Sequence, residues 1–260
     1  MTISNVFAFD IETIPDVEFG RRLHGLEGLS DKQVGYVMQT RQREQTGSEF
    51  LSLEQHRIVA IAVAMRTRDG FKVWSLGEVD SPEDELVRRF YDGLERFSPT
   101  LVSWNGAGFD LPVLHYRALR HNIQAHRYWE MGDEDPSFRW NNYLSRYHWR
   151  HVDLMDVLSG FQGRGRVSLD SMAQLLGLPG KLGMSGEGVW EAHLAGSTAA
   201  IRHYCEADVI NTYLIYLRFE LMRGHLTHEE HDHECGRVRA WLQTSEQAHL
   251  LEFASAWPAR

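Results

Sequence analysis

Near the start of the chain an apolar run, Val6-Phe7-Ala8-Phe9, ends on Asp10-Ile11-Glu12. Four apolar residues followed by an acid predict a buried strand whose C-terminal end carries charge. Residues two apart in a strand face the same side, so Asp10 and Glu12 point one way. A strand buried on both faces needs helices over both faces of its sheet. Open α/β sheets keep their ligand sites at the carboxyl ends of strands, which is where these two acids fall. A turn or a helix cap is the ordinary role for either acid taken alone.

The downstream pattern supplies the rest of such a sheet. Ile58 to Met65 reads as a second strand, Asp69-Gly70 as a hairpin turn, and Phe71 to Leu76 as the returning strand. Ser81-Pro82-Glu83 opens a helix with Ser81 as N-cap and Pro82 at its first position. That helix runs to about Phe97, with Leu86, Val87, Phe90, Leu94 and Phe97 on one face. Thr100 to Trp104 is a fourth strand, broken by Asn105-Gly106-Ala107-Gly108. Phe109-Asp110-Leu111-Pro112 then starts a helix reaching about His121. Val152-Asp153-Leu154 is a fifth strand. Helices follow at Val167 to Leu176, Thr198 to about Met222, and Arg237 to Phe253. The order predicts an α/β fold with a central mixed sheet flanked by helices. We expect a single domain over residues 1–260. Its core spans about 5–222, with an insertion at about 14–57, helical near Lys32 to Arg43, and a helical tail at about 225–260.

Charge and cysteine content narrow the classes. The balance is 27 Lys+Arg against 36 Asp+Glu, a net −9. A protein that grips nucleic acid through phosphates alone should be basic, and this one is not. Cys205 and Cys235 are the only cysteines, so the chain is no disulfide scaffold. Met1 to Asn5 lacks a basic region leading into an apolar run. The longest apolar stretch, Ile58 to Met65, is far short of the roughly 20 residues of a membrane span. The expectation is a soluble cytoplasmic protein with no membrane contact and no evident protein partner.

Two further acids stand at informative places. Asp110 lies at a loop-to-helix junction, where an N-cap is the plain alternative. Asp208 lies inside a long helix among Val209, Leu214, Ile215 and Leu217. Asp is a mediocre interior helix residue, and a buried carboxylate wants a cation. Four carboxylates in one site would repel and hold their protons unless divalent metal neutralised them. Oxygen-only ligation suits Mg²⁺ or Mn²⁺. Two such ions, about 3.5–4 Å apart, clamp a phosphodiester for in-line attack by water.

Together these residues resemble a known family. Phe9-Asp10-Ile11-Glu12-Thr13 resembles the first motif of the DEDD 3′–5′ exonucleases. Asn105-x-x-x-Phe109-Asp110 resembles the second, and Tyr204-x-x-x-Asp208 the third in its tyrosine form. With His151-Val-Asp-Leu-Met-Asp156, the text is most similar to bacterial stand-alone exonucleases related to the proofreading domain of family B DNA polymerases. The resemblance implies a ribonuclease H-like fold and a two-metal site. It further implies release of nucleoside 5′-monophosphates from 3′ ends of single-stranded nucleic acid, DNA favoured. Asp10, Glu12, Asp110 and Asp208 would ligate two Mg²⁺ or Mn²⁺ ions, with Asp10 the bridge. Thr13, Asn105 and Phe109 would contact the terminal nucleotide; the plain alternatives are a turn role for Asn105 and a core role for Phe109. An exoribonuclease acting on RNA or short oligonucleotides is the alternative on the same scaffold. A catalytically silent nucleic-acid-binding protein is the alternative outside the enzymes.

The family also has a form with His five residues before the last Asp, and here His203 and Tyr204 are both present. On a helix, four residues back is about 40° from Asp208 and five back about 140°, which favours Tyr204. A Tyr with pKa about 10 orients the attacking water, whereas a His of about 6.5 can accept its proton.

Tyr128 to Arg150 mixes aromatics with arginines. Such a mixture stacks bases and holds phosphates, or packs as a helix over the sheet. Trp140 and Arg146 are the substrate contacts to test there. His228-Glu-Glu-His231-Asp-His233 reads as a solvated acidic helix end rather than a zinc site. Asp153 and Asp156 support the site or cap a helix, and Asp16 reads as loop. If the acidic excess belongs partly to a metal site, substrate binding should depend on divalent metal.

Overall fold

The computed structural model describes residues 5–181, 183 and 185–258. The opening residues 1–4, read above for a leader, lie outside that set. The first strand, β1 (Val6–Pro15), is longer than the apolar run predicts. Its antiparallel neighbour β2 (His56–Thr67) is the reason. The two pair from Val6 opposite Arg66 to Pro15 opposite His56, with one bulge between Glu12 and Thr13. Asp10 and Glu12 therefore lie within the strand and not at its exit.

Between β1 and β2 come two helices, α1 (Val17–His24) and α2 (Asp31–Thr46). Ile14, Pro15, His56 and Arg57 belong to the strands on either side. Asp16 is not simple loop: it is buried and caps α1 by accepting from Phe19 N at 3.0 Å. β3 (Gly70–Ser75) returns beside β2, and α3 (Glu83–Phe97) follows. Pro82, not Ser81, stands at the N-cap of α3; the Ser81 hydroxyl accepts from Glu78 N instead. Next come β4 (Thr100–Ser103), α4 (Asp110–Arg120), α5 (His126–Trp129) and β5 (His151–Asp153). The sheet order is β3-β2-β1-β4-β5, with β4 parallel to both β1 and β5.

The remaining helices are α6 (Leu154–Leu158), α7 (Leu169–Leu175), α8 (Val189–Leu194) and α9 (Thr198–Met222). The tail is two helices and not one, α10 (His228–Gln243) and α11 (Ala248–Ala256). The histidine- and acid-rich stretch opens α10 and is only partly solvated. His231 and Glu234 are buried, and Glu234 takes both Arg66 Nη2 at 2.7 Å and Nε at 3.1 Å. Among the described residues no helix is long and apolar enough to cross a membrane.

Two cores flank the sheet, and the strand sequences assign them. On β2, Ala60, Ala62 and Ala64 face one way, with Val6 and Ala8 of β1. Ile61 and Val63 face the other, with Phe7, Phe9 and Ile11. The bulky side packs on α3 and α4 through Leu86, Phe90, Leu94, Leu111 and Leu114. The small side receives α9 through Ile201, Cys205, Val209 and Tyr213. Alanine lets a helix approach the sheet closely, and α9 is the helix that carries Tyr204 and Asp208.

Candidate active site

The parallel pairing of β1 with β4 covers only Val6, Phe7 and Ala8, opposite Thr100, Leu101 and Val102. Beyond Ala8, β4 turns away and leaves that side of β1 open. Asp110, the first residue of α4, occupies the gap: its Oδ1 accepts from Ile11 N at 3.1 Å. Phe109 is the N-cap of this helix, so Asp110 is not the cap residue that its position suggests. Its carboxylate bonds across to the neighbouring strand.

Asp10 and Glu12 project from β1 toward α9. The Cys205 thiol donates to Asp10, at 3.3 Å from its carbonyl oxygen and 3.5 Å from Oδ2. One ligand atom each of Asp10, Glu12 and Cys205 lies within 4.8 Å of the others. Tyr204 and Asp208, one turn apart on α9, are both buried, and the Tyr204 hydroxyl is close enough to Asp208 to favour its charged form. Asp208 Oδ1 is buried and without a hydrogen-bond partner.

The electrostatics show a crowded cluster. Asp10 is held well above the usual carboxylate range by desolvation, then by Asp110, Glu12 and Asp208. Glu12 is raised by burial, then by Asp208 and Asp110, with Lys181 opposing. Burial pushes Asp110 up to about 7, aided by the Asp153 charge. Burial likewise pushes Asp208 up to about 6, against the Tyr204 hydroxyl and Lys181. A divalent cation fits this donor set: four oxygen donors, mutual repulsion and an orphaned buried oxygen all call for positive charge.

Supporting groups come from places that carry no motif. Asp153 accepts from Asn105 N at 3.0 Å and Ala107 N at 2.9 Å, and it also caps α6. It thus ties the loop before Asp110 to the end of β5. Asn105 is left-handed at φ 66°, a turn role that Asn tolerates. Lys181 lies 5.7 Å from the Tyr204 ring. Lys181 carries no signal in the sequence, since it sits in a loop with neither period nor motif spacing.

Thr13 faces away from the carboxylates, across the bulge. Its Oγ1 meets His56 Nδ1 at 2.8 Å. His56 Nε2 lies 3.2 Å from the Leu51 carbonyl, and burial keeps the ring neutral. Nε2 therefore carries the proton, and the Thr13 hydroxyl donates to Nδ1. Phe109 is half-buried and meets His56 edge-on at 5.1 Å and the exposed Phe50 at a tilt at 5.4 Å between ring centres.

The other expected residues separate. His203 stacks on His249 at 3.8 Å and takes no part in the carboxylate cluster. Tyr128 to Arg150 is not one helix. Tyr128, Phe138 and Tyr143 are buried, while Trp140 is 83% exposed. Arg146 binds Asp156 at 2.9 Å.

A mixed five-stranded sheet with helices on both faces and acids on its central strand is the α/β architecture of a ribonuclease H-like exonuclease domain. Residues 48–257 match the predicted 3′–5′ exonucleases related to the exonuclease domain of PolB, and the chain belongs to that family. The matched stretch includes Asp110, Tyr204 and Asp208 and begins after Asp10 to Thr13. Among curated proteins no significant match is found. The chain is thus a hydrolase of the 3′–5′ exonuclease kind, with nucleic acid as its substrate.

Proposed function

We propose that this exonuclease removes nucleoside 5′-monophosphates from the 3′ ends of single-stranded DNA at the Asp10, Glu12, Asp110 and Asp208 cluster. The observation that carries the reading is the gathering of these acids: Asp110 bonds to Ile11 N, between Asp10 and Glu12 in β1, and Asp208 keeps a buried oxygen without a partner. Asp10, Glu12, Asp110 and Asp208 would hold two Mg²⁺ or Mn²⁺ ions. Bound there, the ions supply charge for in-line attack of water on the phosphodiester and for the departing oxygen.

The protein's own groups do the positioning. Asp10, beside Glu12 on the central strand, would hold metal together with the other three acids. Burial and the surrounding acids raise Tyr204, so its hydroxyl keeps its proton. It acts as a hydrogen-bonding group that orients the attacking water, not as its base. Lys181 offers a positive charge beside Glu12 and Asp208, suited to the phosphate under attack. Thr13 and Phe109 receive the terminal nucleoside on the other side of β1, and Asn105 shapes the turn leading to Phe109. The preference for DNA rests on the family's relation to an exonuclease domain of a DNA polymerase.

The test uses oligonucleotides labelled at the 3′ or the 5′ end, in DNA and RNA, with Mg²⁺, Mn²⁺ or chelator. Loss of the 3′ label first, with metal only and faster on DNA, is the expected result. No 3′-directed loss with either metal would overturn the activity. Faster loss from RNA would overturn the substrate.

A further inference from the structure

Between Arg139 and Arg166 five arginines stand against two acids, in a chain whose net charge is −9. Both acids, Asp153 and Asp156, are buried. Asp153 serves the loop before Asp110. Asp156 does something else: its two oxygens hold two guanidinium groups, Arg146 at 2.9 Å and Arg166 at 2.6 Å. The carboxylate is 6% exposed, while the arginines are 46% and 40% exposed. A buried acid thus fixes two half-exposed cations. Each guanidinium has five N–H donors and uses few of them here, so donors remain for a second anion.

The pair lies beside the candidate active site. Arg166 belongs to the glycine-rich segment Gly160-Phe-Gln-Gly-Arg164-Gly-Arg166-Val167 between α6 and α7. One end of this segment is joined to the turn before Asp110, because Trp104 Nε1 donates to Val167 O at 3.2 Å. It leads into α7, whose Asp170 is close enough to raise Asp208. At its other end Phe161 is left-handed, at φ 60°, a conformation that non-glycine residues avoid. Its ring lies under Arg146 at 4.9 Å and against Tyr147 at 5.2 Å. The exposed Arg164 rides on the same segment.

We propose that Arg146, Arg164 and Arg166, with the Phe161 and Tyr147 rings, form a track for the single strand upstream of its 3′-terminal nucleotide. The arginines take successive phosphates and the aromatic pair offers a stacking face. The proposal rests on the 3′–5′ exonuclease reading of the carboxylate cluster and adds where the rest of the strand lies. It also accounts for an acidic protein that holds an anionic strand: the cations are gathered in one place and held by a buried acid.

The experiment compares wild type, Arg164→Gln, Arg166→Gln and Arg166→Lys on two substrates. One is a 12-nucleotide single-stranded DNA. The other is the p-nitrophenyl ester of thymidine 5′-monophosphate, which has no upstream nucleotide. Each Gln variant should raise KM for the 12-mer about tenfold, lower the salt slope of binding by about 1, and leave kcat and the small ester unchanged. Arg166→Lys should restore the salt slope. Binding of a 12-mer with phosphorothioate 3′ linkages, followed by anisotropy with Mn²⁺, gives the same comparison without turnover. Equal binding of the 12-mer by wild type and both Gln variants overturns the track. So does a KM change of the same size on the ester. A wild type that binds the 12-mer through these arginines but hydrolyses neither substrate leaves the track standing and sinks the exonuclease site instead.

Discussion

Asp110→Asn separates the cost of the carboxylate cluster from its use. Asn is nearly isosteric and can still accept from Ile11 N through its Oδ1. What it removes is a charge whose pKa stands at about 7 in the folded protein against 3.8 ordinarily. An acid raised by folding destabilises the fold as pH climbs through the window between those two values. Below about pH 4 both states hold the proton and the effect vanishes. Above about pH 7 it is complete. About 3 pKa units at 1.36 kcal/mol each give an upper bound of about 4 kcal/mol at pH 8. At pH 5 about one unit has been traversed, or about 1–2 kcal/mol. In chelator, Asp110→Asn should therefore be more stable than wild type at pH 8, with the gain shrinking at pH 5. Chemical denaturation at both pH values measures this directly. With Mg²⁺ or Mn²⁺ the order should reverse at pH 8, because metal stabilises wild type by binding only the folded site. Hydrolysis should fall by about a hundredfold or more. A variant that is less stable than wild type in chelator at pH 8 would refute the reasoning, since the cluster would then carry no repulsion for metal to relieve.

Three other substitutions address separate parts of the structure. Tyr204→Phe removes the hydroxyl that meets Asp208 and should lower kcat about a hundredfold while KM changes little. His203→Ala should leave both near wild type, and steady-state kinetics in which only the His203 variant loses turnover would reverse the assignment. Arg117→Met breaks a buried bridge in which Nη1 holds Asp16 at 2.6 Å and Nη2 holds Glu83 at 2.5 Å. Asp16 and Glu83 lose their shared guanidinium, and Glu83 keeps only His121 at 2.8 Å and Ile58 N, which should cost about 3 kcal/mol, read as a lower denaturation midpoint at pH 7.

Part of this was legible in the residues alone. The alternation of Ala with β-branched residues from Val59 to Ala64 marks a strand with one small and one bulky face. Asp10 and Glu12 share a face because strand periodicity is two. Tyr204 rather than His203 shares a face with Asp208 because helix periodicity is 3.6. These are local rules, and they hold wherever the backbone is regular. They fail at Ser81, where the helix starts one residue later than its capping pattern suggests. They fail again at Thr244 to Gln247, where apolar periodicity continues across a break between two helices. Lys181, Phe50 and His56 leave no mark in the sequence, because each reaches the site from an irregular segment or a strand end. No period links such positions to their neighbours in space.

By itself, then, the sequence determined the elements, the kinds of side chain on each face, and a set of acids in family order. It could not determine that the acids meet. That depends on β4 leaving β1 after three paired residues, so that Asp110 can bond to Ile11 N across the gap. It depends on an alanine-lined sheet face that lets α9 bring Asp208 down onto Asp10 and Glu12. Nor could it determine that Asp156 gathers Arg146 and Arg166 from either side of β5. Strand pairing, helix approach and ion pairing across long separations are set by the packing of the whole chain. Periodicity along a segment carries no information about them.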